Sequence, residues 1–390
     1  MKKVIQILLV FVLALNIPVN AFASSETSIP NINEQAFQSL GKEEVKEFIL
    51  NSQSAYYNVL GINFTDSNIV YTSDKVSFKT NAEVSEVLKA TDVEGLPYIK
   101  GVLKALGVSS YISLTPSQKT ESVLNKTGAN NAISDSSNNL VASKIVKAID
   151  QEFNDVQSYI GKTTKINMSF IISINTADIK NISKNTIKIS GLDSLDNEVN
   201  VNEFNLRSSD EMNQSGINDF NSMISDFQTS ANMVHLSLVP INDFNAYDRI
   251  AARDYAYSWW GPTDMNYNHN YTNYNYPQGG DCANFVSQCI YAGGVPTSTY
   301  WLPDSTYWIG AANLKNYMVN NGYASLTSYT NTNAGNFAYT TAGTGHIVLV
   351  TKNDTVNICY TAHNFNREDE PFTQSALNGG FSFYVIKNTP

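Results

Sequence analysis

Apolar residues recur at every second position at Ile166, Met168, Phe170, Ile172 and Ile174, with mostly polar neighbours. That period of two predicts a strand with one buried face. Flanking segments have the helical period instead. Ile145, Val146, Ile149, Phe153, Val156 and Ile160 share one helical face, as do Ile217, Phe220, Ile224 and Phe227. Another amphipathic helix is predicted over residues 42–60, from apolar positions 45, 48, 49, 56, 59 and 60. Short strands are predicted around residues 68–78, at Ile187 and Ile189, and over 233–239, while 104–138 is polar and reads as loops with one short helix. Residues 24–240 therefore read as a small α+β domain with an antiparallel sheet. Its histidine, His235, points away from the apolar side of an alternating strand, which predicts a solvent-facing structural role.

The pattern changes beyond a linker at residues 241–246. Residues 247–260 look helical and end in Trp259-Trp260, and residues 262–280 carry Tyr267, Tyr271, Tyr274 and Tyr276 with no regular period. A loop that long and aromatic reads as one wall of a groove, with Trp260 and Tyr274 as candidate contacts, or as plain packing. Next comes a well-punctuated helix. Asp281 stands at the N-cap position. Cys282, Phe285, Val286, Cys289 and Ile290 follow at i, i+3, i+4, i+7 and i+8, and Gly293-Gly294 supplies the stop. A cysteine in the first turn sits at the positive end of the helix dipole, beside unpaired N–H groups. That setting favours thiolate and offers donors to an oxyanion. The alternative is a buried structural cysteine.

Composition limits the partners. Lys2-Lys3, the apolar run from Val4 to Ile17 and Ala21-Phe22-Ala23 have the layout of a secretory signal over residues 1–23. No cysteine follows it that would take a lipid anchor, and no later stretch approaches the ~20 apolar residues of a membrane span. A secreted chain without a membrane anchor is expected. Removing Lys2 and Lys3 takes the formal charge from −10 to −12, which argues against nucleic acid as a partner. Charged residues are only 15%, so the surface suits neutral, hydrogen-bonding partners. Three cysteines leave at least one unpaired. If Cys282 is free, Cys289 and Cys359 are a pair or two core thiols.

A thiolate nucleophile needs a base within reach and an orienter for that base. Among the histidines after the linker, His269 lies in the Asn/Tyr loop, where nothing fixes it. His346 opens the strand His346-Ile347-Val348-Leu349-Val350, and His363 ends the strand that follows a turn near residues 352–355. A two-residue turn at Asn353-Asp354 would pair His346 with Thr361 and put His346, Val348, Cys359 and His363 on one face. A three-residue turn would bring Asn364 to that face instead. A helix packed on this hairpin then brings Cys282 to His346 and Cys289 towards Cys359. A zinc site of Cys282, His346 and His363 lacks any close-spaced ligand pair and is not favoured, and no cofactor is expected.

Tyr255–Trp260, Gly279–Gln288 with Gly293-Gly294-Val295-Pro296, His346–Val350 and Tyr360-Thr361-Ala362-His363 resemble the putative amidase domain family of bacteria. That family is grouped with the papain-like cysteine hydrolases, including NlpC-type and CHAP cell-wall enzymes. The resemblance covers roughly residues 247–385 and is sharpest at the cysteine motif. It implies a papain-like catalytic domain over 247–390, with a helix packed on an antiparallel sheet. It also implies Cys282 as nucleophile, His346 as general base and acid, and His363 as third member, with Asn364 the alternative. Ala283 stands where many relatives carry Thr or Ser, a departure expected to affect packing only, and Gly335-Asn336 stands where they often have Gly-Asp, which leaves the loop before His346 less defined. The expected reaction is amide hydrolysis through a thioester, the oxyanion held by the Cys282 backbone N–H with Gln278 or Tyr276. Secretion and the NlpC-type relatives point to peptidoglycan stem peptides, with a protein or peptide amide as the rival substrate. A non-catalytic wall-binding protein on the same fold is the alternative of another class. Oligomeric state is not legible in the chain.

Overall fold

The computed structural model describes residues 32–127, 136–234, 247–261, 267–274 and 280–387. Residues 1–23, expected to be a signal, residues 241–246, expected to be a linker, and His235, Tyr276 and Gln278 lie outside the described residues.

The N-terminal region opens with α1 (Glu34–Gln53), β1 (Tyr57–Asp66), β2 (Val70–Tyr71) and β3 (Lys75–Leu88). α2 (Pro97–Leu106), α3 (Pro116–Thr127) and α4 (Ser136–Gln157) follow, then β4 (Thr163–Asn175), β5 (Ile187–Leu192), β6 (Glu198–Asn200) and α5 (Ser209–Val234). The sheet is antiparallel in the order β1-β3-β4-β5-β6, with β2 on β3. The helix expected over 42–60 starts earlier, where Asn33 Oδ1 accepts the Ala36 N–H at 3.0 Å, and yields to β1 at Tyr57. Tyr57–Asp66 is rich in β-formers and pairs along its length with β3, which outweighs its helical spacing. α2 was hidden in a stretch partly read as loop, although Pro97 in its first turn and left-handed Gly107 (φ 79°) punctuate it. Met233 and Val234 end α5 rather than start a strand, and the rest of that predicted strand lies outside the described residues.

The C-terminal region comprises α6 (Arg249–Trp259), α7 (Cys282–Ala292), α8 (Thr306–Ile309) and α9 (Ala311–Asn320), then β7 (Ala324–Thr327) and β8 (Phe337–Thr340). β9 (His346–Asn353), β10 (Ile358–Ala362), β11 (Arg367–Pro371) and β12 (Ser382–Ile386) complete it. Its sheet is also antiparallel, in the order β11-β10-β9-β8-β12-β7. The fold class is α+β. α7 is buried on nearly every side, its Cys282, Phe285, Val286 and Cys289 sharing a core with Phe337, Ile347 and Leu349.

The β9–β10 hairpin differs from the two-residue turn expected. The loop spans residues 354–357, Lys352 pairs with Cys359, and a bulge between Cys359 and Tyr360 then sets Thr361 opposite Leu349. The physical reason lies in Asp354, which is fully buried. Its Oδ1 accepts the N–H groups of Val356 (3.1 Å) and Asn357 (2.8 Å), and its carboxylate takes the Tyr57 hydroxyl at 2.8–2.9 Å. Lys352 Nζ bridges Asp354 Oδ2 (3.2 Å) and Glu86 Oε1 (3.1 Å), and Arg207 Nη2 donates to the Thr355 carbonyl at 3.1 Å. The hairpin tip is thus folded against the N-terminal region, which the sequence pattern of the hairpin alone does not reveal.

Candidate active site

Register decides which side chains meet. Ile347 and Leu349 face α7, and Thr361, paired with Leu349, shares their side. His363 follows two residues later and stacks on Phe285 of α7, ring centroids 4.1 Å apart. Strand alternation sets His346 with Val348 and Val350, which belong to the core on the opposite face. The expected common face for His346, Val348, Cys359 and His363 is therefore corrected. Cys359 packs into the core of the N-terminal sheet and Cys289 into that of α7, and all three cysteines are free.

What gathers the site is Asp281, which sequence reasoning treated only as a cap. It occupies the N-cap position, yet its side chain makes no capping bond. The fully buried carboxylate instead accepts the Tyr274 N–H (3.1 Å) and Asn284 Nδ2 (2.8 Å) on Oδ1 and meets His363 Nδ1 on Oδ2 at 2.6 Å. Tyr267 Oη lies 3.1 Å from the same Oδ2 and stacks on the His363 ring, centroids 5.4 Å apart. His363 Nε2 lies 2.8 Å from the Trp259 carbonyl oxygen at the end of α6. Both atoms facing the imidazole are acceptors, and both ring nitrogens are engaged inside the fold. Asn364 meets the same residue, its Oδ1 accepting the Asp281 N–H at 2.5 Å. A Cβ on Gly280 would come within 2.8 Å of Asn364 Nδ2, so a side chain there would press on this amide. The two alternatives for a third member are both in contact with the residue that precedes Cys282.

Cys282 is the first residue of α7 and only 5% exposed. Burial pushes its thiol above the ordinary range, and the nearby Asp281 charge adds to this. The backbone N–H groups of Ile347 and Ala283 act the other way without prevailing. The expected resting thiolate is corrected for that reason: desolvation at this helix terminus outweighs dipole and N–H donors. Ile347, whose N–H lies against the sulfur, directly follows His346. That histidine is buried, its ring edge-on to Phe365 (6.3 Å), with its pKa lowered to about 4, first by burial and then by the Arg367 charge. Among the described residues its Nε2 has no hydrogen-bond partner.

Tyr274 sits beside the site, its hydroxyl donating to Asp304 Oδ1 at 2.7 Å, while Trp260 is partly buried against the α7 core. His269 lies with its ring 6.4 Å from that of Tyr267. Asp281, Asn284, Tyr267 and the Trp259 carbonyl escaped sequence reasoning. The available signal was a carboxylate adjoining the candidate nucleophile, with an amide at i+3. Among the described residues no group of three His, Cys, Asp or Glu is arranged to hold a metal, and no helix is long and apolar enough to cross a membrane.

Residues 246–386 match the family described as a putative amidase domain, a span that runs from just before α6 to the end of β12. No curated protein and no solved structure matches the chain. At a general level the match supports a hydrolase of amide C–N bonds.

Proposed function

We propose that the C-terminal region is a papain-like cysteine amidase, secreted, acting on peptidoglycan stem peptides. The observation carrying this reading is the position of Cys282, which opens α7 with its sulfur against the Ile347 N–H, one residue beyond a neutral histidine with an unpartnered Nε2. His346 accepts the Cys282 proton and the sulfur attacks the amide carbonyl. The Cys282 backbone N–H stabilises the oxyanion. His346 then protonates the leaving amine, and water hydrolyses the thioester. Asp281, His363 and Asn364 act as positioning residues, fixing the turn from which Cys282 projects. His346 leaves β9 at the first residue of the strand and on the face away from α7, so this proton transfer requires its ring to turn around the strand end towards Cys282. Stem peptides are favoured by the signal-like N-terminus and by the low-charge, tyrosine-rich segment around Tyr274.

One observation favours a second reading, a non-catalytic wall-binding protein on the same fold. The sulfur is nearly sealed, burial pushes its thiol above the ordinary range, and both His363 nitrogens are engaged elsewhere. The test is incubation of the chain lacking residues 1–23, wild type beside Cys282→Ala, with peptidoglycan and with peptide amides, read by mass spectrometry. New amine ends with the wild type alone support the amidase, and cleavage of peptide amides alone moves the substrate to proteins or peptides. No new ends in any reaction, with retention on peptidoglycan, supports the binder.

A further inference from the structure

A cavity of about 680 Å³, away from Cys282, lies where α2, α4 and α5 meet β7 and β12 at the edge of the C-terminal sheet. None of the residues around Cys282 lines it. Its walls are mainly apolar, with Ile149, Phe153, Phe220, Met223 and Val385 prominent, and two carboxylates face it, Glu152 and Asp219. A volume of this size, bounded by apolar side chains with polar ones among them, is typical of small-molecule sites.

The carboxylates differ in what they still need. Asp219 accepts hydroxyls from Ser328 (3.0 Å), Tyr98 (3.2 Å) and Thr330. Among the described residues Glu152 accepts Asn333 Nδ2 alone, at 3.1 Å on Oε2, and its Oε1 is buried without a partner. The nearby cations are committed. Arg249 bonds Asp155 (2.7 Å) and the Ala334 carbonyl (3.1 Å), and Arg207 bonds Tyr329, Ser215 and the Thr355 carbonyl. An orphaned buried acceptor is costly, and Glu152, which carries this one, is among the residues that line the chamber. A ligand that completes this site brings N–H donors and positive charge to Glu152 and an apolar body to the walls.

We propose that this cavity binds an organic ammonium ion, a small molecule with one protonated amine on an aromatic or aliphatic body. Burial holds the Glu152 carboxyl at about 7, with Asp155 and Asp219 adding to it and Asn333 and Arg249 opposing. The cation favours the ionised carboxylate, so binding at pH 6 releases a proton and affinity rises towards pH 8.

Titration calorimetry on the full chain with 2-phenylethylamine, against the near-isosteric neutral 2-phenylethanol, tests this. The amine should bind at least tenfold tighter than the alcohol at pH 8. At pH 6 its heat should change between buffers of different ionisation enthalpy. Glu152→Gln should weaken the amine at least tenfold without weakening the alcohol, and Ala148→Trp, which fills the chamber, should abolish both. If Glu152→Gln fails to fold by circular dichroism, Ala148→Trp and the amine-to-alcohol ratio decide alone. Equal affinity for the two ligands, no amine binding at millimolar concentration, or binding unchanged in the cavity-filling variant overturns the proposal. Cys282→Ala should bind the amine as wild type does, which separates this site from the fate of the amidase reading.

Discussion

At the residue scale the decisive contest is between burial and the local donors around one sulfur. A helix N-terminus with adjacent N–H groups lowers a thiol's pKa where water reaches it; at 5% exposure the loss of solvation is the larger effect. Alkylation of the native protein by iodoacetamide should therefore be slow near pH 7 and should accelerate as pH climbs past 9. Cys282 should react ahead of Cys289 and Cys359, which are fully buried and pushed further up. Peptide mapping of the alkylated chain checks both order and pH profile, and fast labelling of Cys282 at pH 6 would contradict this account. His346 gives a second residue-scale prediction. Its folded pKa, about 4, lies below the ordinary 6.5, so between those values the unfolded chain binds more protons and stability must rise with pH. This contribution is complete above pH 6.5 and is lost as pH falls through about 4, amounting to at most about 3 kcal/mol. Urea midpoints of wild type and His346→Gln, compared from pH 4.5 to 7.5, should show the wild type gaining on the variant across that window.

At the element scale, α6, α7, β9 and β10 were legible because their punctuation is local, whereas α8, α9, β7, β8, β11 and β12 were not read from the chain. Gly293 and Gly294 end α7, and β9 opens at His346 as its apolar run predicts. The hairpin register was not legible, because it is set by Asp354 bonding its own loop and Tyr57, a residue 297 positions away. That register put His363 rather than His346 on the α7 side. Candidate residues could thus be read from the chain while their mutual arrangement could not. His363 and Asn364 both hold Asp281, but through different forces, and their removal should differ accordingly. His363→Ala strips a buried carboxylate of its closest partner and should cost about 3–5 kcal/mol. Asn364→Ala removes one acceptor from a backbone N–H and should cost about 1–2 kcal/mol. Chemical denaturation ranks them, and an equal or reversed order would remove Asp281 from the centre of the site.

At the scale of the whole molecule, the two sheets are joined by a buried polar seam as well as by apolar contact. Lys352 of β9 sits fully buried between Glu86 of β3 and Asp354, and Arg367 of β11 reaches Ser169 (3.1 Å) of β4 and Asp196 (2.6 Å). Val356 and Cys359 from the hairpin belong to cores otherwise built by N-terminal residues. The N-terminal region thus shapes the hairpin that carries His346 and His363, a dependence invisible to a reading that treats residues 24–240 and 247–390 apart. Lys352→Met keeps the side chain's length but leaves two buried carboxylates facing each other, and should destabilise the chain by about 3–5 kcal/mol. Replacing Glu86 as well, in Lys352→Met with Glu86→Leu, removes one stranded charge and should recover part of that loss, because the two sites share an interaction. If the regions fold as one cooperative unit through this seam, calorimetry will show a single transition lowered in Lys352→Met and partly restored in the double variant. Should the single variant instead split the transition in two, with the N-terminal part melting at its original temperature, the seam would be no more than a contact between independent bodies.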